Sequence, residues 1–351
     1  MLLHTDITPG RTATIDNRSC LFFSGFSYLG LHQQPAFKSA FMEGIHRYGT
    51  LYPSSRAGNV RLSLFEEMEH ALCTHLEQQA AVVLSSGYMA AQAAIHYAAT
   101  RGRLCYAPGA HPALWLGTPQ LPAVDRAQWE QETIARVNGD ADHHYVIVTD
   151  ALNPITGEVY AFDWLRLLQR KVLVLIDDSH GIGILGPRGQ GSIHLLPGTE
   201  QVRYLITASL AKAYSVEGGV VAGHAADIAA LKKNGFFTGS TPMMPAGAHA
   251  WLQSADLVRQ QRMQLQQNVA YFLHLAANSA IHNPHGLPVF ILPQPAEKPP
   301  LLNYLAERDV IISSFPYPFP HSQPVNRAII SALHTQQDIL SLYQFLKEYG
   351  Y

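Results

Sequence analysis

The chain has 351 residues, 47% of them hydrophobic and 14% charged, with a net charge of −2. This is enough apolar content to bury a large core, and it predicts one large domain with smaller lobes. The near-neutral balance leaves no broad basic field for nucleic acid or anionic lipid, so small molecules or a second copy of the chain are the expected partners. Cys20, Cys73 and Cys105 are odd in number and form no C-x-x-C pair. That argues against a disulfide framework or a zinc ribbon and suits the reduced thiols of a cytoplasmic protein. Met1 to Asp6 carries no basic region, and no apolar run reaches membrane-spanning length, so neither export nor a membrane span is expected. Eighteen histidines raise the question of a metal, yet there is no H-E-x-x-H and His143-His144 point apart as neighbours; no metal site is expected.

After a polar lead-in to about residue 20, Phe22 to Leu31 is rich in aromatics and glycine, which suits a short strand and turn either beside a pocket or packed in the core. Phe37, Phe41, Ile45 and Tyr48 recur at helical spacing, as do Leu64, Phe65, Met68, Leu72 and Leu76 beyond a loop at Pro53-Ser54-Ser55-Arg56. Ala81 to Ser85 reads as a strand that turns through Ser86, Gly87 and Tyr88 into an alanine-rich helix. Such a turn leaves free N–H groups at the positive end of the helix dipole, where a phosphate can sit. Residues 101–145 are the least legible. Tyr145 to Asp150 is a buried strand, followed by a turn through Asn153-Pro154 and Thr156-Gly157 and a helix from Asp163 as N-cap through Leu168.

The unbroken apolar run Val172 to Ile176 predicts a central parallel strand, and its carboxyl end carries Asp177, Asp178 and His180. Ligands of open α/β sheets bind at such ends. A further strand from Arg203 to Ser209 leads to Lys212, the only charge between Arg203 and Glu217, and then through Gly218-Gly219 to another short apolar strand. An isolated lysine either loses proton affinity or is covalently engaged, as a Schiff-base lysine requires, or else it snorkels to solvent. From about residue 245 helices alternate with strands near 288–292, 310–313 and 327–331, with Pro-rich loops at 293–300 and 316–324 and a closing helix from about Thr335. The expected fold class is α/β: a mostly parallel central sheet with helices on both faces and a smaller C-terminal α/β domain. The expected divisions are an N-terminal segment at 1–45, a large domain at 46–240 and a small one at 241–351.

Three stretches, Asp177-Asp178-Ser179-His180-Gly181, Ser209-Leu210-Ala211-Lys212-Ala213-Tyr214 and Ser85-Ser86-Gly87-Tyr88, resemble the fold type I pyridoxal-phosphate enzymes. Within these the chain resembles the α-oxoamine synthases, the family that includes 8-amino-7-oxononanoate synthase, 2-amino-3-ketobutyrate CoA ligase and serine palmitoyltransferase. The likeness runs from Tyr28-Leu29-Gly30-Leu31 through Ile182 to Gly189 and on to Arg327 and His334. It implies that Lys212 holds pyridoxal phosphate as a Schiff base and moves protons at the substrate α-carbon, that Asp177 pairs with the pyridine nitrogen, that His180 bonds the phenolic oxygen and that His111 stacks on the ring. It further implies phosphate contacts from Ser86, Gly87, Tyr88 and Ser209, with Ser240 and Thr241 reaching across from the other subunit of a homodimer with shared active sites. Arg327 matches a carboxylate clamp, with Phe26 and Tyr28 beside the substrate.

The implied reaction is a biosynthetic condensation of an amino acid with an acyl-CoA or an acyl-carrier thioester, with decarboxylation to an α-amino ketone. The chain departs from the family at Phe26, where an asparagine is common, at Phe65 in place of a histidine, at Ala91 in place of an asparagine and at Ala113 and Pro154 in place of serines, which implies a more apolar or differently shaped substrate site. Alternatives on the same scaffold are an aminotransferase, a carbon–carbon lyase or a non-catalytic binding relative; a metal hydrolase using Asp177, Asp178 and His180 is a distant fourth.

Overall fold

The computed structural model describes residues 3–295, 297–316, 321–322 and 324–351. Two short strands, β1 (Thr12–Ile15) and β2 (Arg18–Phe23), pair through Asp16 and Asn17, both at positive φ. Asp and Asn tolerate that conformation, which suits a two-residue hairpin. Helix α1 (Pro35–Tyr48) starts on Pro35, whose missing N–H is harmless in a first turn, and α2 (Ser63–His75) buries Leu64, Phe65, Met68 and Leu72. Strands and helices then alternate: β3 (Ala80–Leu84), α3 (Gly87–Ala99), β4 (Arg103–Tyr106), α4 (Arg126–Gly139) and β5 (Tyr145–Asp150). A small hairpin of β6 (Leu152–Asn153) and β7 (Glu158–Val159) precedes β8 (Val172–Asp177), β9 (Val202–Ser209) and β10 (Gly219–Gly223). The C-terminal part contains α5 (Ala225–Leu231), α6 (Gly235–Thr238), α7 (Pro245–Gln253), α8 (Ala255–Ala276), β11 (Val289–Ile291), α9 (Leu301–Ala306), β12 (Val310–Pro316), β13 (Pro324–Ile329) and α10 (Gln336–Tyr349).

The large sheet has six strands in the order β3-β10-β9-β8-β5-β4, parallel throughout except for β10, which runs against both neighbours. Its two faces are read out by alternation along each strand. Val146, Val148, Leu173 and Leu175 pack with the alanines of α3, while Ile147, Val174 and Ile176 pack with Trp129 and Val137 of α4. A strand covered on both faces has no polar side to show, which is why β8 reads as one apolar run.

The small sheet joins both ends of the chain, in the order β1-β2-β12-β13-β11, with β2 parallel to β12. Residues 12–23, assigned from the sequence to an N-terminal segment, therefore pair with strands near the other terminus. The segment 101–145 supplies β4 and α4; Asp125 caps α4 by accepting the N–H of Gln128 at 2.8 Å. The helix expected from an Asp163 cap is a single 3-10 turn over Asp163–Leu167, with Phe162 at the cap position and Asp163 inside the turn. The chain needs only one turn there before it enters β8. The closing helix does start from Thr335, through a capping box with Asp338. The Pro-rich stretch at 316–324 lies partly outside the described residues. Among the described residues no helix is long and apolar enough to cross a membrane, and Cys20, Cys73 and Cys105 are unpaired.

Asp178 belongs to the fold. It is fully buried and turned away from the cavity described below, with Oδ2 accepting the N–H of Ser192 at 2.7 Å. A Cβ added at Gly181 or Gly191 would lie 2.0 Å from one of its carboxylate oxygens, so only glycine lets the loop after β8 close around it. Burial raises the Asp178 carboxyl to about 8. The folded protein thus keeps a proton that the unfolded chain releases above about pH 4, and this group's contribution to stability is lost as pH rises towards 8. Asp178→Asn keeps the acceptor for Ser192 and removes the titration. Denaturant unfolding should show the variant gaining on wild type between about pH 5 and pH 8, by about 4 kcal/mol at most at about 1.4 per pH unit. Parallel pH curves for the two proteins would contradict this assignment.

Candidate active site

The carboxyl ends of the parallel strands place the candidate groups side by side. In the spatial order β9, β8, β5 and β4, the chain leaving each strand presents Lys212, Asp177, Asp150 and His111. All four, with His180, line one cavity of about 200 Å³ at the sheet edge. Its remaining wall is largely apolar and includes Trp115, Leu121, Pro154 and Ile155.

Each side chain has a local reason for its place. The Oδ1 of Asp177 accepts the N–H of Ser179 at 2.8 Å, and the Ser179 hydroxyl in turn accepts the N–H of Ser209 at 2.8 Å, which ties the ends of β8 and β9 together. His180 meets the Tyr28 hydroxyl through Nδ1 at 2.8 Å and the edge of Phe26 at 5.2 Å between ring centres. Burial, then the positive charges of Lys212 and Arg327, hold His180 well below the ordinary imidazole range. His111 is likewise lowered, first by burial, with Asp177 opposing, and its Nδ1 accepts the N–H of Ala113 at 3.1 Å. Both rings are therefore neutral near pH 7, with a second nitrogen left for a partner. Burial also lowers Lys212, against the pull of Asp177 and Asp150. Its amine is easier to deprotonate than an ordinary lysine, as a nucleophile or base must be.

A second cluster lies beside the first. Ser86 caps α3 by accepting the N–H of Met89 at 3.1 Å, and Gly87 opens the helix against Ser209, three residues before Lys212. A Cβ on Gly87 would sit 2.4 Å from the Cβ of Ser209. Gly87→Ala should therefore push these two elements apart and weaken pyridoxal phosphate binding about tenfold or more, the scale of one charge-assisted hydrogen bond, as read by equilibrium dialysis. Unchanged affinity would remove Gly87 from the phosphate site. Tyr88 follows in the first turn and is 61% exposed.

A third group approaches from the small sheet. Arg327 of β13 is buried, with its guanidinium 5.5 Å from the Phe26 ring centre and 4.9 Å from that of Phe315, and its NH1 donates to the carbonyl of Pro154 at 2.9 Å. Pro154 lines the cavity, so Arg327 and Tyr28 stand just behind its wall. Ser240 donates to the carbonyl of Phe236 at the end of α6, and Thr241 is exposed; neither lines the cavity within one chain. Of the departures noted in the sequence, Phe65, Ala91 and Ala113 are buried in the hydrophobic cores, Pro154 lines the cavity, and Phe26 packs edge-on against His180 outside its lining.

Asp150 is the site residue that sequence reasoning missed. Its signal was the one that Asp177 carries, an acid closing an apolar strand. Tyr160 and Leu121 also line the cavity, from a hairpin and a loop with no motif to mark them.

These groups fit pyridoxal phosphate: in the cavity a lysine with lowered proton affinity, an acid for a ring nitrogen and a neutral histidine for ring stacking, and, outside its lining, a helix N-terminus packed against Ser209, three residues before Lys212, that suits an anion. The profile of the aminotransferase class I and II family matches residues 124–346, almost two thirds of the chain. The chain belongs to that family. Within it, the chain falls among the α-oxoamine synthases that its motifs resemble, enzymes dependent on pyridoxal phosphate. An 8-amino-7-oxononanoate synthase of Nitrosomonas europaea is 29% identical over 359 residues, covering 95% of this chain and 91% of the relative. One from Dechloromonas aromatica is 28% identical over 369 residues, covering 97% of this chain and 93% of the relative. A serine palmitoyltransferase from S. paucimobilis, solved with pyridoxal phosphate and myriocin, superposes with a TM-score of 0.84 at 17% identity, covering 99% of this chain and 92% of that one, which establishes the common fold.

Proposed function

We propose that the protein is a cytoplasmic, homodimeric acyltransferase that joins an amino acid to an acyl thioester, releasing carbon dioxide and the thiol and forming an α-amino ketone. The observation that carries this reading is the convergence of Lys212, Asp177, His180 and His111 in one cavity at the carboxyl edge of the sheet. The 8-amino-7-oxononanoate synthases to which the chain is similar over nearly its whole length support the reaction class. The division into an N-terminal segment at 1–45, a large domain at 46–240 and a small one at 241–351 puts Lys212 in the large domain and Arg327 in the small one, whose sheet also takes in residues 12–23.

When bound, pyridoxal phosphate supplies an electron sink that lets the substrate α-carbon part with a proton or a carboxylate. The chain's own groups then have separable tasks. Lys212 Nζ takes and returns the α-proton, with its lowered proton affinity suited to work near neutral pH. Asp177 would hold the proton on the ring nitrogen, and His180, whose Nδ1 is engaged by Tyr28, would turn Nε2 to the cofactor as a donor in the tautomer where Tyr28 donates to Nδ1. His111 would lie against the ring and exclude water. Ser86, Gly87, Tyr88 and Ser209 would hold the phosphate, with Ser240 and Thr241 reaching it from the partner copy. Arg327, held between Phe26 and Phe315 and bonded to the Pro154 carbonyl behind the cavity wall, would reach a substrate carboxylate only after Pro154 gives way. The wall formed by Trp115, Leu121, Pro154 and Ile155 favours an apolar acyl group or side chain.

The test is product analysis with protein loaded with pyridoxal phosphate, supplied with a panel of amino acids and either acyl-CoA or a keto acid. Thiol and carbon dioxide released in equal amounts with acyl-CoA support the acyltransferase. Exchange of the amino group with a keto acid, and no thiol, would reassign the protein as an aminotransferase.

A further inference from the structure

Asp150 has no task in that scheme, yet it stands at its centre. It closes β5, is the register partner of Asp177 on β8 and lines the same cavity. Its Oδ2 accepts the main-chain N–H of His111 at 3.0 Å. The His111 ring is fixed at a second point, where Nδ1 accepts the N–H of Ala113. Other bonds hold the turn on either side, among them Ala107 N–H to the Val148 carbonyl at 2.8 Å and Gln92 to the Ala113 carbonyl at 2.8 Å, but without Asp150 the main-chain N–H of His111 itself loses its partner.

The groups that face Asp150 come from every element around it: Asp177 at the end of β8, Lys212 beyond β9, Arg126 of α4, Tyr160 beyond β7, and His111 itself. Burial and the neighbouring Asp177 raise the Asp150 carboxyl to about 8, while the His111 N–H, Arg126 and Lys212 pull the other way. The acceptor oxygen that Asp150 offers the His111 N–H is present whether or not the carboxyl is ionised.

We propose that Asp150 is a positioning residue, whose Oδ2 anchors the main chain of His111 and so fixes where the His111 ring stands in the cavity. This rests on the cavity taking pyridoxal phosphate, as proposed above. A positioning role of this kind depends on an acceptor oxygen and is indifferent to the charge of the group that carries it. That separates it from a role in which Asp150 acts as a second anion.

The experiment compares wild type, Asp150→Asn and Asp150→Ala, each loaded with pyridoxal phosphate near pH 7. It reads the dissociation constant by tryptophan fluorescence and the orientation of the bound chromophore by visible circular dichroism. Asp150→Asn, which keeps the acceptor, is expected to bind within about twofold of wild type with the same dichroism, whereas Asp150→Ala should bind about tenfold or more weakly with reduced dichroism. Melting curves of the unloaded proteins show whether Asp150→Ala still folds; if it does not, Asp150→Asn decides alone. Weak binding by Asp150→Asn would mean that the charge is needed, and full binding with unchanged dichroism by Asp150→Ala would mean that the anchor is not; either overturns the proposal. Wild type that takes up no pyridoxal phosphate would overturn both this inference and the cofactor reading beneath it.

Discussion

Lys212→Ala is expected to lower turnover by about 10³-fold or more, because in the proposed scheme it removes both the covalent attachment point and the group that moves the α-proton. Of the substitutions considered, this one should have the largest effect. It should leave the fold intact. Lys212 lies on a loop beyond β9 among buried apolar residues such as Leu210 and Ala213, and its lowered proton affinity shows that its surroundings disfavour the charge. Removing it relieves that cost, so the melting temperature of the unloaded variant should be equal to or above that of wild type. The measurement is steady-state turnover with the best amino acid and acyl donor, beside the visible absorbance of the loaded protein and its loss on borohydride treatment. A variant that kept turnover within about tenfold of wild type would place the chemistry elsewhere, since proton transfer by a positioned side chain is worth about 10²–10⁴-fold.

The next largest effect is expected from Asp177→Asn, at about 10²–10³-fold in turnover, the scale of removing one preorganised electrostatic partner from a closed site. The amide keeps the acceptor for the Ser179 N–H, so the loop between β8 and His180 should hold its shape. What changes is charge. Asp177 now raises Asp150 and favours the protonated form of Lys212. Without it, the Asp150 carboxyl should ionise at lower pH and the Lys212 amine should lose its proton more readily. The variant should therefore bind pyridoxal phosphate but use it poorly, with an activity profile moved to lower pH. A variant as active as wild type would show that the ring nitrogen does not depend on this acid to stay protonated. Asp178→Asn is the matched control, because Asp178 is the neighbour in sequence but serves the loop that closes over it.

Much of the site could be read before any coordinates, and the reason is physical. Asp177 and Lys212 stand out because a charge at the end of an apolar strand has few structural excuses; Ser86-Gly87 stands out because a strand turning directly into a helix leaves N–H groups free. Asp150 carries the same signature as Asp177 but lacks a following histidine and glycine to mark it. Helix α4 escaped notice because its buried residues, Trp129, Thr133 and Val137, are few among polar neighbours. The single 3-10 turn at Asp163 shows the opposite failure: a cap residue and apolar spacing were present, but the connection to β8 left no length for a helix.

By itself the sequence determined the alternation of strands and helices, the central strand covered on both faces, and the lone lysine, strand-end acids and Ser-Gly turn where a ligand could bind, because these depend on local periodicity and on the cost of placing charge among apolar groups; that they suit pyridoxal phosphate is what the resemblance of three motifs to a family implied. Tertiary structure alone decided three things. It put β1 and β2 beside β12, a pairing between the two ends of the chain that no local pattern encodes. It separated Asp177 from Asp178, adjacent in sequence, by the alternation of a strand end that turns one towards the cavity and the other into a glycine-lined loop. It also sorted the departures from the family, burying Phe65, Ala91 and Ala113 in the cores and leaving Pro154 on the cavity wall and Phe26 against His180. Packing distance, rather than residue type, settles which side chain meets a ligand.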